Sequence, residues 1–174
     1  RNQRQQATSD QQMRVAVCGG KEFMAKYLIG SVLLSLHRNS HISELLIGNC
    51  RGVDAIVAKW AERTGIPVSY YNSDWLAYGA DADDVRNQIL LAECPDIIVL
   101  FPGGKRTHDL LNKAIAAGHQ HILRVDPTRK KPARWYQNHN TAFTQQVTDN
   151  QEKTEQADGT QADDQMRFEE VNDD

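Results

Sequence analysis

The sequence predicts an α/β fold: a doubly wound parallel sheet of about five strands with helices on both faces. Three observations predict it. From Met13 to Val125, apolar runs that read as strands alternate with amphipathic segments across short loops, the pattern of parallel strands joined by right-handed crossovers. Asp96-Ile-Ile-Val-Leu-Phe101 is apolar almost throughout, as a central parallel strand covered on both faces requires. Three strand-to-helix loops combine glycine with a basic residue, and in such sheets ligands sit beyond the carboxyl ends of the strands.

The elements follow in order. Arg14 to Cys18 reads as a buried strand ending at Gly19-Gly20. Glu22 to Arg38 places Phe23, Tyr27, Leu28, Val32, Leu33 and Leu36 at helical spacing. Glu44 to Ile47 is the second strand, and Val53 to Arg63 a helix with Val53, Ile56, Val57 and Trp60 on one face. Thr64-Gly65 stops that helix and Pro67 opens the strand Val68–Tyr71. Asn72 to Gly79 reads as a loop, and Asp81 to Glu93 as a helix with the acidic first turn that its dipole favours. After the Asp96–Phe101 strand come a helix from Thr107 to Ala117, Gly118 as its cap, and a last strand from His121 to Val125.

Composition bounds the rest. The 174 residues suit one domain with tails, divided as a polar tail (1–12), the α/β domain (13–126), a basic and aromatic extension (127–148) and an acidic tail (149–174). Both tails read as disordered, the last holding ten acidic residues against two basic ones. The formal charge of −3 argues against nucleic-acid binding by bulk electrostatics. Cys18, Cys50 and Cys94 show no CxxC spacing, so they read as small hydrophobes of a reducing cytosol rather than a disulfide or zinc set. No apolar stretch has the length of a membrane span, and the Gln-rich start is unlike a signal peptide. The chain therefore reads as cytoplasmic, without a membrane partner.

The three loops carry the chemistry. Gly19, Gly20 and Lys21 follow the first strand, Gly48, Arg51 and Gly52 the second, and Gly103, Gly104, Arg106 and Thr107 the strongest. Glycine permits close backbone approach, helix N-termini offer free N–H groups to an anion, and arginine forks match phosphate. Neither GxxxxGK[ST] nor GxGxxG is present. Arg86-Asn87 would stand exposed on an ordinary amphipathic helix, with Arg86 in reach of Asp83 or Asp84. Asp54 caps a helix or orients Arg51, and Asp54 and Asp109 are the weak candidates for an acid or base. Trp75 and Tyr78 lie on a loop from which either could stack on a base. His119 and His121 would share a strand face, but no third metal ligand is evident and no metal site is expected.

In their order these motifs resemble the YspA, or cpYpsA-related, branch of the SLOG superfamily, which also includes the DprA and lysine-decarboxylase-like (LOG) proteins. Val17-Cys-Gly-Gly-Lys-Glu-Phe23 is similar to that branch's VCGGRDF-like start, and Ile47-Gly-Asn-Cys-Arg-Gly-Val-Asp54 to its HGGARGAD-like second loop. Asp74-Trp75, Gly79 and Arg86-Asn87 match a Trp-containing stretch leading to a glycine and an RN pair, a resemblance that implies Arg86 and Asn87 as nucleotide- or phosphate-binding residues. Phe101-Pro-Gly-Gly-Lys-Arg-Thr107 matches a final FPGGxGT.

The resemblance runs from Met13 to Val125. It implies a Rossmann-like fold that binds nucleotides or their derivatives, in a branch often proposed to act as sensors in phage conflict and signalling. Cytokinin-activating relatives are phosphoribohydrolases whose PGGxGTxxE motif carries a catalytic glutamate. Here Leu110 stands at that glutamate, Arg106 at the motif's last glycine and Asn49 at a loop glycine. The expectation is therefore a non-catalytic nucleotide binder needing no cofactor. The alternatives are a phosphoribohydrolase or deoxyribosyltransferase, a single-stranded DNA binder acting through Arg129 to Tyr136, and a degenerate interaction scaffold. The acidic tail would serve a protein partner, and a homo-oligomer is compatible with all of these.

Overall fold

The computed structural model describes residues 12–136. The sequence expectations for residues 1–11 and 137–174 lie outside the described residues. Six strands form one sheet: β1 (Met13–Cys18), β2 (Ile42–Ile47), β3 (Val68–Tyr70), β4 (Ile97–Leu100), β5 (Ile122–Val125) and β6 (Ala133–Trp135). Their order is β3-β2-β1-β4-β5-β6. The first five are parallel, and β6 runs antiparallel to β5. The helices are α1 (Lys26–Ser40), α2 (Val53–Thr64), α3 (Trp75–Tyr78), α4 (Ala82–Ala92) and α5 (Lys105–Ala116), with a 3₁₀ turn at Gly79–Asp81. The Rossmann-like doubly wound architecture read from the sequence is the one observed.

Strand alternation builds two cores. Val15, Val17, Leu45, Ile47, Val99 and Phe101 face α1 and α2, meeting Ile29, Leu33, Val53 and Val57. Ala16, Cys18, Leu46, Ile98 and Leu100 face the other side, where α4 and α5 supply Leu90, Leu110 and Ala114. Strand order reverses between β1 and β4, so the loops after those strands stand at the switch point. Gly65 ends α2 in the left-handed conformation, φ 77°, as the Thr64-Gly65 stop signal indicates.

Three local expectations are corrected. Helix α1 starts at Lys26 rather than Glu22, because the preceding loop is held elsewhere: Gly20 O accepts from Val53 N of α2, and Phe23 stacks on Phe101 at 6.1 Å. The resulting register buries Ile29, Val32, Leu33 and Leu36 and leaves Tyr27 95% exposed, outside the apolar face assigned to it. The segment read as a loop from Asn72 contains α3, whose N-terminus Asp74 caps by accepting from Ala77 N at 3.0 Å. Finally, β5 begins at Ile122, so His119 and His121 precede the strand and share no strand face. His121 packs edge-on against Trp135 of β6 instead. That sixth strand, absent from the sequence reading, falls in the basic and aromatic extension. Its three residues are all exposed and carry no period-two apolar signal.

Candidate functional site

The loops after β1, β2, β3 and β4, with the start of α4, enclose a cleft of about 280 Å³ at the carboxyl edge of the sheet. Lys21, Gly48, Asn49, Cys50, Arg106 and Asp83 line it, together with Tyr71, Asn72, Ser73 and Trp75. Each loop is placed by the strand before it, and the glycines fix how closely the loops meet. Gly20 N donates to Pro102 O at 2.8 Å. A Cβ on Gly20 would stand 3.0 Å from that oxygen and 3.1 Å from Gly103 Cα. Gly103 in turn lies over Thr107, which is buried and whose hydroxyl meets Cys18 Sγ at 3.7 Å. Thus Gly19, Gly20, Gly52 and Gly103 are filled against protein: Val53 and Phe101 crowd the first, and the Gly20–Lys21 backbone the third. Gly104 alone of the third loop's pair faces open space.

Beneath Gly48 lies a buried polar cluster. Arg86, from α4, is 2% exposed. Its Nε donates to Tyr71 O at 3.2 Å, and its Nη1 to Asn87 Oδ1 at 2.9 Å and Cys18 Sγ at 3.7 Å. Its Nη2 has no hydrogen-bond partner among the described residues. Asn87, fully buried, donates to Arg106 O at 3.0 Å and to Asp109 Oδ2 at 2.8 Å, tying α4 to α5. The ordinary-helix reading of Arg86, exposed and paired with Asp83 or Asp84, does not hold. Neither Arg86 nor Asn87, expected to contact the ligand, is among the residues that line the cleft. The helix turns this pair inward, where it braces the floor of the site.

Asp54, in the first turn of α2, is also buried. Its Oδ2 accepts from Cys50 N at 3.2 Å in the loop ahead of the helix. It therefore does not cap α2, which has no side-chain cap, and its Oδ1 has no hydrogen-bond partner among the described residues. Burial pushes its carboxyl above the ordinary value, an effect that Arg106 and Arg86 partly offset. A Cβ on Gly48 would stand 2.6 Å from Asp54 Oδ2 and 3.2 Å from Arg86 Nη2. Only glycine lets the second loop close over both charges.

Arg106 projects from the first turn of α5 into the cleft wall, its side chain 13% exposed. Among the described residues its guanidinium makes one hydrogen bond, from Nη1 to Cys50 Sγ at 3.3 Å. The nearest carboxylates, Asp54 at 3.8 Å and Asp83 at 4.0 Å, are beyond hydrogen-bond length. A guanidinium has five N–H donors, so most of this one's capacity is unspent.

The other sequence candidates divide cleanly. Lys21 and Trp75 line the cleft, whereas Tyr78 is half-exposed and outside its lining. Arg51 is 73% exposed, pairs with Glu22 and does not orient toward Asp54. Asp109 is held by Lys113 at 2.6 Å and by Asn87. Leu110, at the position of the relatives' glutamate, is fully buried in the apolar core beside α4. Asn72, Ser73 and Asp83 were not singled out as site residues. Asp83 reads in sequence as one more acid complementing a helix dipole, and nothing local marks the other two.

The model of the YspA, cpYpsA-related SLOG family matches residues 13–78. That span takes in the first two loops and α3 and ends before Arg86-Asn87 and the third loop. No curated protein matches the chain. Among solved structures, the chain is similar to glycinamide ribonucleotide transformylase 1 from Symbiobacterium toebii, with 16% identity and a TM-score of 0.40. The match covers 71% of this chain and 55% of that one, so the chain spans little more than half the length of that protein. Among the described residues no helix is long and apolar enough to cross a membrane.

Proposed function

We propose that this domain binds a nucleotide or nucleotide-derived ligand in the cleft, with a phosphate group against Arg106 and Lys21. One observation carries the reading. Arg106 is largely buried at the cleft wall, where among the described residues its guanidinium hydrogen-bonds only a thiol and faces Asp54 and Asp83 at 3.8 and 4.0 Å, too far for hydrogen bonds. A desolvated cation without a full set of acceptors is costly, and a phosphate oxygen entering the cleft would complete it with charge-assisted bonds. Arg86, buried below with one nitrogen unpartnered, adds positive potential to the same floor. The open face of Gly104 and the first turn of α5 leave backbone N–H groups near Arg106. The resemblance to nucleotide-binding SLOG proteins supports the same ligand class. Binding without catalysis is the leading form of the reading, since Leu110 and the paired Asp109 leave no acid at the third loop.

Isothermal titration with mono-, di- and cyclic nucleotides and ADP-ribose tests this. At least one is expected to bind below millimolar, and Arg106→Gln to weaken that ligand tenfold or more, about 1.4 kcal/mol. No binding below millimolar, or an unchanged affinity in Arg106→Gln, overturns the reading.

An enzymatic reading has one observation in its favour. Asp54 is a buried carboxyl with a raised proton affinity and a free oxygen close under Gly48, the environment of a tuned acid or base. Release of free base from a nucleoside monophosphate, lost in Asp54→Asn, would establish it. No release by the native protein would exclude it.

A further inference from the structure

We infer that the ligand of the cleft is a single ribonucleotide, its sugar hydroxyls read by Asp83 while its phosphate meets Arg106 and Lys21. The inference rests on the nucleotide-binding reading and goes beyond it in size and in sugar. The volume, about 280 Å³, lies just below the usual range of small-molecule sites, roughly 300–1,000 Å³. One nucleoside phosphate is on the scale of that volume, whereas a dinucleotide or an ADP-ribose would extend beyond the cleft.

The walls are chemically sorted. Lys21 and Arg106 supply the cations, and Asn72, Ser73, Asp83 and Trp75 supply hydrogen-bonding groups and an aromatic face. Asp83 is held in place from one side only. Its Oδ1 accepts from Ser73 Oγ at 2.5 Å, while Oδ2 makes no hydrogen bond among the described residues and the side chain is about one-third exposed. The carboxylate lies 4.0 Å from Arg106 Nη1, too far for a hydrogen bond. A carboxylate beside a phosphate site repels the ligand's charge unless it accepts bonds from the same molecule. A vicinal diol offers two donors within one sugar ring, at C2′ and C3′ of the same ribose that carries the phosphate on C5′. An acceptor-only carboxylate matches that pattern, and a 2′-deoxy sugar lacks one of its donors. Arg86, buried beneath Gly48 beside Asp54 and outside the cleft lining, adds its charge below the cationic end without reaching the ligand.

The test titrates the full chain with the four ribonucleoside 5′-monophosphates, their 2′-deoxy counterparts, ADP-ribose and inorganic phosphate. A monophosphate is expected to bind about tenfold tighter than its 2′-deoxy form, the scale of one charge-assisted hydrogen bond. Asp83→Ala should bring the two affinities together, and Asp83→Asn, which keeps an acceptor for Ser73, should narrow the gap at unchanged thermal stability. Equal affinity for ribo and deoxy forms in the native protein overturns this inference and leaves nucleotide binding standing. ADP-ribose bound tighter than every monophosphate overturns it in the same way. Failure of every nucleotide and of phosphate to bind removes the broader reading with it.

Discussion

Gly103 and Gly104 are neighbours with different reasons to be glycine, and the difference is measurable. A Cβ on Gly103 overlaps Thr107 Oγ1 and stands 2.9 Å from Gly20 N, a backbone atom that cannot retreat cheaply. Gly103→Ala is expected to cost about 1–3 kcal/mol in urea unfolding, as overpacking does. Gly104 has nothing within 4 Å but is the N-cap of α5, so Gly104→Ala should cost only the cap difference, about 0.5–1 kcal/mol. If Gly104→Ala instead weakens nucleotide binding, the ligand passes over that residue. Equal destabilisation by the two variants would sink this account of the loop. The sequence showed that glycine was needed in these loops but not which surface it approached, because a motif reads alike whether a phosphate or a neighbouring loop fills the space. Arg86 shows a different case. Helical periodicity placed it in solvent and the RN pair pointed to ligand contact, and neither signal foretold that its guanidinium would be buried.

At the scale of elements, burial on both faces left the apolar run that located central strands such as β1 and β4. The parallel edge strand β3, Val68-Ser-Tyr70 and only partly covered, was marked instead by Pro67 before it. What apolar patterning missed were elements held by polar or local forces. Strand β6 pairs through backbone bonds at an exposed edge, and α3 buries none of its residues and rests on the Asp74 cap. Helix ends show a related point. Cys94, just past α4, adopts φ 51° with its N–H bonded to Leu91 O at 3.0 Å, the left-handed position that glycine usually fills. A side chain there costs about 1–2 kcal/mol, and the residue is exposed with no packing to lose. Cys94→Gly is therefore expected to stabilise the protein by about 0.5–1 kcal/mol, after the entropy of the freer unfolded chain is deducted. Thermal melting under reducing conditions checks it; a fall in melting temperature contradicts the cap assignment.

Across the whole molecule, the charge read from the sequence conceals an uneven distribution. The chain is −3 overall, yet residues 12–136 carry sixteen Lys and Arg against twelve Asp and Glu. Part of that charge fastens the half of the sheet remote from the cleft. Arg14 on β1 donates to Glu44 on β2 at 2.8 Å and to Glu93 at 3.2 Å, while Ser69 on β3 also donates to Glu44. The Ser69 hydroxyl first, and Arg14 second, hold the Glu44 carboxyl below its ordinary value. A carboxylate lowered on folding contributes stability above its unfolded pKa of about 4.3 and loses it as pH falls through the folded value. Glu44 is about one-quarter exposed, so solvent screening limits the effect to about 1 kcal/mol. Glu44→Gln should thus unfold at lower urea than the native protein at pH 7, and the gap should shrink steadily as pH drops below 4.3. A gap of constant size from pH 7 to pH 3 would mean that packing of the glutamate stem, rather than its ionised bonds across three strands, joins this edge of the sheet.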